Sequence, residues 1–140
     1  MTLPILRHIH KIEYCAAYHL RRAIILPAQS QALVHEPMPW QEIPIVGLAE
    51  VETTEEVENG TRLSTTKLTA TLCHSFQFAT VPCAFCLSDV RGNKYILGTS
   101  ESPYPKISLS SIHPDKTTER ACLVLSVILT STNGLLNVSS

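Results

Sequence analysis

The dipeptide Asn59-Gly60 constrains this chain more than any other feature. It stands between two long segments, residues 48–58 and 61–72, in which Thr, Glu, Val and Leu alternate. A two-residue type I′ turn needs positive φ at both central positions, and Asn followed by Gly meets that need at the least steric cost. Asn-Gly between alternating segments therefore predicts a β-hairpin. The tight turn also sets the register. Glu58 stands opposite Thr61, and counting back puts Val51 opposite Leu68 and Ala49 opposite Ala70 on one face, with Glu52 opposite Lys67 on the other. Apolar partners meet, and so do opposite charges, as cross-strand pairing favours. The apolar face exists only at the base of the hairpin. From Thr53 to Thr66 both faces carry Glu, Thr, Ser and Arg, broken by Val57 and Leu63. Such a ribbon is expected to project from the body, and an isolated two-stranded ribbon is marginal in water. Its tip is thus the candidate subunit interface: Glu55, Glu56, Val57, Glu58, Asn59, Gly60, Arg62 and Leu63.

The rest of the chain repeats the pattern of short apolar runs cut by turns. Residues 11–20 place Ile12, Tyr14, Ala16, Tyr18 and Leu20 on one period-2 face and read as strand, with a helix over 13–22 as the alternative. Residues 23–26 form a short strand stopped by Pro27. Residues 27–44 hold Pro27, Pro37, Pro39 and Pro44 around Trp40, and read as an irregular connection that wraps the domain with Trp40 as its anchor. A second hairpin is expected over 83–99, with its turn at Asp89-Val90-Arg91-Gly92-Asn93, followed by a short strand over 106–110 and a loop over 113–116. Residues 121–132 are apolar on both sides and are expected at the centre of a sheet. Asn133-Gly134 then turns the chain into a closing strand, 135–138. About eight strands at short spacing predict one all-β domain over 1–140: an antiparallel β-sandwich or small barrel with a projecting hairpin over 48–72 and little helix.

Composition narrows the function classes. A chain of 140 residues, 44% apolar and 16% charged, can bury a core without a staple. A net charge of -1 leaves no basic excess to neutralise phosphates, so sequence-specific nucleic-acid binding is not expected. No stretch approaches the ~20 apolar residues of a membrane-spanning helix. Residues 1–8 show no basic segment leading into a long apolar run, so no secretory signal is expected and the protein is expected to be made in the cytoplasm. The cysteines Cys15, Cys73, Cys83, Cys86 and Cys122 each sit among apolar neighbours, the pattern of buried free thiols.

The residues that could carry chemistry have plainer readings. Cys83-Ala84-Phe85-Cys86, with Cys73-His74 upstream, could make a zinc site or a redox pair. Against this, Leu87 follows where a knuckle favours Gly, no helix follows as a redox motif requires, and positions 83 and 86 of an extended strand point to opposite faces. Buried structural thiols are the expectation, with no metal and no cofactor. His8 and His10 form an H-x-H pair without a third ligand beside them and read as a solvated segment. There is no nucleophile elbow and no glycine-rich phosphate loop, and the cluster of Glu50, Glu52, Glu55, Glu56 and Glu58 reads as a solvated or partner-facing surface. No residue takes a catalytic role, and the protein is not expected to be an enzyme.

The run from Asp89 through Gly98 and Thr99, then Pro103-Tyr104-Pro105, then the apolar strand closing at Asn133-Gly134-Leu135-Leu136, resembles small proteins encoded in prophage-like elements of gut Bacteroidales, often among tail or virion-assembly genes. The resemblance covers the C-terminal two-thirds and rests on turns and strands. It implies a structural component of a tail or virion, of tube, connector or terminator type, whose partners are copies of itself in a ring or tube and neighbouring assembly proteins, and whose final location is the assembled particle. Two other readings stand beside it. One is a monomeric module binding peptide or carbohydrate around Trp40 and Tyr104. The other is a small zinc or redox protein using Cys73, His74, Cys83 and Cys86.

Overall fold

A computed structural model describes residues 5–26, 31–34, 38–72, 81–101, 103–112, 122–131 and 135–139. Eleven strands are present among them: β1 (Ile5–Ala16), β2 (Ile24–Leu26), β3 (Gln31–Leu33), β4 (Gln41–Ile43), β5 (Ala49–Glu58), β6 (Thr61–Leu72), β7 (Cys83–Asp89), β8 (Lys94–Leu97), β9 (Lys106–Ile112), β10 (Cys122–Ser131) and β11 (Leu135–Ser139). They form one sheet in the order β2-β3-β11-β8-β7-β1-β5-β6-β10-β9, with β4 added on β1. The chain is all-β, as expected, but the sheet is not a closed barrel and is mixed, because β3 runs parallel to β11. The reason is topological. Strands so far apart in the chain have no tight turn between them, so nothing forces them to run antiparallel.

The hairpin register is as the Asn-Gly turn requires. β5 and β6 pair from Glu50↔Thr69 to Glu58↔Thr61, with Val51↔Leu68 and Glu52↔Lys67 among the pairs. Asn59 has φ 52° and Gly60 φ 78°, the two positive values of a type I′ turn. The expected projection over 48–72 is corrected. β6 is also paired with β10 from Leu72 to Ser64, and β5 with β1 from Ala49 to Thr53, so most of the hairpin lies inside the sheet. Ser64 and Thr66 are buried although polar. Among the described residues, 54–63 pair with no strand besides each other.

β1 is the hinge of the sheet. Its first half pairs β5, its second half pairs β4 from Ile12 to Tyr14, and its other edge pairs β7 from Ile9 to Ala16. The register with β7 slips between Ile9 and Lys11, a bulge at His10. In a regular strand residues three apart face opposite sides; the extra residue rephases the strand so that Ile9 and Ile12 both enter the core, each fully buried. The bulge thereby divides the sheet into two arms, β9-β10-β6-β5 and β7-β8-β11-β3-β2. One buried cluster takes Val51, Leu68, Leu125 and Val127 from the first arm and Phe85, Leu87, Tyr95 and Leu97 from the second, so the arms share a core.

Further corrections follow from that architecture. The strand expected over 11–20 ends at Ala16 and becomes a single 3-10 turn, Ala17–Leu20, where the Ala17 N–H bonds the Pro82 carbonyl at 2.8 Å. The supposedly irregular segment 27–44 contains β3 and β4, each three residues long. β10 is buried on one face only, with Ile128 39% exposed on the other; β7 is buried on both faces over all seven residues, and β8 over residues 95–97. β11 pairs β8 and β3, not β10, so the chain crosses to the other arm after β10. The Asn133-Gly134 turn and the loop 113–116 lie outside the described residues.

β7 is buried twice because its second face has a cover. Leu20, Ala32, Ala84, Ile96 and Leu136 form a second buried cluster, closed by Ile25, Val34, Met38, Trp40 and Val138. The end of the second arm, β2 and β3, together with residues 38–40, thus forms a strap that packs against the outer face of β7, β8 and β11. Trp40 anchors it, as its position among prolines suggested.

Candidate functional site

The eight residues expected at an interface all lie on or beside the free end of the hairpin. Val57 is 74% exposed, and Asn59, Gly60 and Arg62 are exposed. Across the ribbon Glu55 faces Ser64 and Val57 faces Arg62, so Arg62 reaches diagonally; its Nη2 donates to Glu55 Oε2 in a salt bridge. An exposed pair of this kind contributes only about 0–1 kcal/mol. It orders the tip more than it stabilises the fold. Just inside the tip, the Thr66 hydroxyl is fully buried and has no hydrogen-bond partner among the described residues. On the outer face, Thr65 and Thr130 share a hydroxyl hydrogen bond at 3.1 Å.

The second feature is a groove of about 840 Å³ on the strapped arm. Its floor comes from cross-strand neighbours: Glu13 stands beside Cys86 and Cys86 beside Ile96. Its wall is the strap, with Val34, Met38 and Trp40, and its rim is Gly92, Asn93 and Lys94 of the β7–β8 turn. Lys11 and Glu13 sit two residues apart on one strand and form an ion pair at 3.9 Å, with side-chain exposures of 41% and 17%. Lys94 is exposed at the rim. The groove therefore joins an apolar wall to two lysines and one carboxylate, within the size range of small-ligand and side-chain pockets.

Asp89 holds that rim in place. Its Oδ1 accepts the backbone N–H groups of Arg91 and Asn93, each at 2.9 Å, and its Oδ2 accepts Asn93 Nδ2 at 3.2 Å and the Tyr95 hydroxyl at 3.1 Å. Burial of the carboxyl works to raise its pKa, but the hydrogen bonds from Asn93, Arg91 and Tyr95 outweigh it and hold the group below its ordinary value. The turn around it needs Gly92 at φ 89°.

Among the described residues Cys15, Cys83 and Cys86 are buried free thiols on neighbouring strands. Cys83 belongs to the main core and Cys86 lines the groove, on opposite faces of β7 as its period of two dictates. The Cys83 thiol donates to the Val81 carbonyl at 3.4 Å. Burial, with smaller contributions from Cys83 and Cys86, pushes the Cys15 thiol up to about 12, and burial also raises Cys83. Cys73 and His74 lie outside the described residues. Among the described residues no three His, Cys, Asp or Glu side chains gather to hold a metal. His8 and His10 are both exposed. Tyr104 does not join Trp40; its hydroxyl donates to the Ser100 carbonyl at 3.2 Å, away from the groove.

Sequence reasoning missed the groove. The one available signal was the unbroken apolar run of residues 83–87, which shows no polar alternation and so calls for cover on both faces. No family model matches the chain, and neither a curated protein nor a solved structure does.

Proposed function

We propose that the protein is a structural, non-catalytic subunit that works through contacts with copies of itself, in an assembly of the tail or virion type that the resemblance implies. One observation carries the reading. Among the described residues, 54–63 pair only with each other, past the last described pairs of β1 and β10, and present an exposed Val57 in an acidic stretch of sequence. A ribbon that buries no core gives little back for the conformational entropy lost in ordering it, and docking on a neighbour supplies the missing burial. Among the described residues β2 and β9 are the edges of the open sheet, which gives further surface for such contacts. Sedimentation velocity on the full chain tests this. A discrete oligomer is the expected result, and a monomer at every soluble concentration would overturn it.

A second reading, a monomeric module for peptide or carbohydrate, is favoured by the half-buried Trp40 beside the polar rim of the groove. A monomer whose Trp40 fluorescence changes saturably with a glycan or peptide would select it.

A further inference from the structure

The tip and the groove are complementary in three respects. The tip carries an exposed aliphatic side chain, Val57, and the groove has an apolar wall at Trp40 and Met38. The tip sequence is acidic at Glu56 and Glu58, while the groove holds Lys11 and the rim Lys94. The tip also has a cation, Arg62, and the groove a mostly covered carboxylate, Glu13. The end of the ribbon is slender as well. A Cβ added at Gly60 would meet nothing within 4 Å, so no side chain of its own chain covers the turn.

The two surfaces of one chain are far apart along the sheet. Ala49, at the base of β5, pairs with Ile9, two residues from the groove, and the ten residues of β5 then run away to the tip. At ~3.3 Å per residue that is about 30 Å of strand. The tip therefore does not reach the groove of its own molecule, so any contact between them joins two molecules. A contact between two unlike surfaces is head-to-tail, and it repeats around a ring or along a tube.

We infer that the hairpin tip of one copy docks in the Lys11–Trp40–Lys94 groove of the next, with Val57 against Trp40 and the tip glutamates against the two lysines. The inference rests on the assembly reading and names the surface that receives the tip. Trp40 is the only tryptophan in the chain, so its emission reports the groove alone.

The test uses three full-length proteins: wild type, a tip variant (Glu56→Lys with Glu58→Lys) and a groove variant (Lys11→Glu with Lys94→Glu). Self-association is followed by sedimentation velocity, and Trp40 emission is followed on dilution. Wild type is expected to associate with a concentration-dependent shift of Trp40 emission that weakens as salt rises. Each variant alone is expected to associate at least about tenfold more weakly, and an equimolar mixture of the two, whose reversed charges match, to recover association. The tip variant decides the matter if the groove variant folds poorly, because its substitutions lie far from Trp40 in their own chain. A tip variant that associates like wild type, or wild-type association with unchanged Trp40 emission, overturns the docking while leaving the assembly reading intact. A wild type that never associates overturns both.

Discussion

The two arms of the sheet are built from the same kind of strand and end in different surroundings. In the first arm β6 alternates strictly beyond Leu63, with Ser64, Thr66, Leu68, Ala70 and Leu72 buried and Thr65, Lys67 and Thr69 exposed. Its outer face is solvated, and Thr and Ser suit it. In the second arm β7 shows no alternation, because Cys83, Phe85 and Leu87 face the shared core while Ala84 and its neighbours face the strap. The difference teaches where recognition can arise. The uncovered sheet face is a solvated, mostly polar surface, whereas a face partly covered by a strap acquires a wall, a floor and a rim. The groove exists because Trp40 and Met38 stop short of covering Lys11, Glu13 and Lys94.

The comparison is broken most strongly by enlarging one outer-face residue in each arm. Ala84 is fully buried beneath the strap, and Thr69 is exposed. Ala84→Leu forces extra volume into a closed layer and is expected to cost about 1–3 kcal/mol or more. Thr69→Leu is expected to stay within about 0.5 kcal/mol. Urea unfolding of both variants measures the difference directly, and equal losses would mean that the strap does not close over β7.

How far the amino-acid sequence shows these arms depends on the range of the interactions. The register of β5 on β6 was readable because a two-residue turn sets it locally. The point where the hairpin leaves the sheet was not, because it depends on β10, whose Ser131 pairs with Ser64 across a long separation. The polar residues Ser64 and Thr66 look like a projecting ribbon until β10 is placed beside them. The opposite faces of Cys83 and Cys86 followed from strand period alone. β3 and β4 were hidden because three residues in a proline-rich segment show no period, and their pairing is decided by what they cover. The tip residues were singled out in the sequence, but the groove was not, since Lys11, Trp40 and Lys94 meet only through tertiary packing.

A smaller effect is expected at the rim of the strapped arm. Asp89→Asn keeps one acceptor for the Arg91 and Asn93 N–H groups but sets an amide N–H₂ against the donors of Asn93 and Tyr95. The cost is expected to be about 1–2 kcal/mol near neutral pH. The pH dependence has a definite sign. The folded carboxyl has a pKa below its ordinary value, so the unfolded chain binds the proton first on acidification. The stabilisation is fully present above the unfolded value and is lost as pH falls through the folded one. The gap between wild type and the Asn variant should therefore be flat above about pH 5 and narrow below about pH 4, as chemical denaturation at several pH values would show. A gap that widens in acid would contradict the hydrogen-bond account of Asp89.

The smallest effect belongs to the unstrapped arm and has the opposite sign. Thr66 faces the core where the hairpin's inner surface changes from apolar to polar, and its hydroxyl is buried without a partner among the described residues. A buried hydroxyl left unpaired loses its hydration with nothing in return, at about 1–3 kcal/mol. Val has nearly the same shape and no such demand, and it favours strand conformation as Thr does. Thr66→Val is therefore expected to raise stability by about 1 kcal/mol, seen as a higher denaturation midpoint with an unchanged urea m-value. Because Thr66 lies on the same ribbon as the tip but inside the sheet, the substitution should leave self-association as it is in wild type. If association changes as well, the tip and the buried end of the hairpin act as one unit, and the boundary drawn where β1 and β10 end would have to move inward.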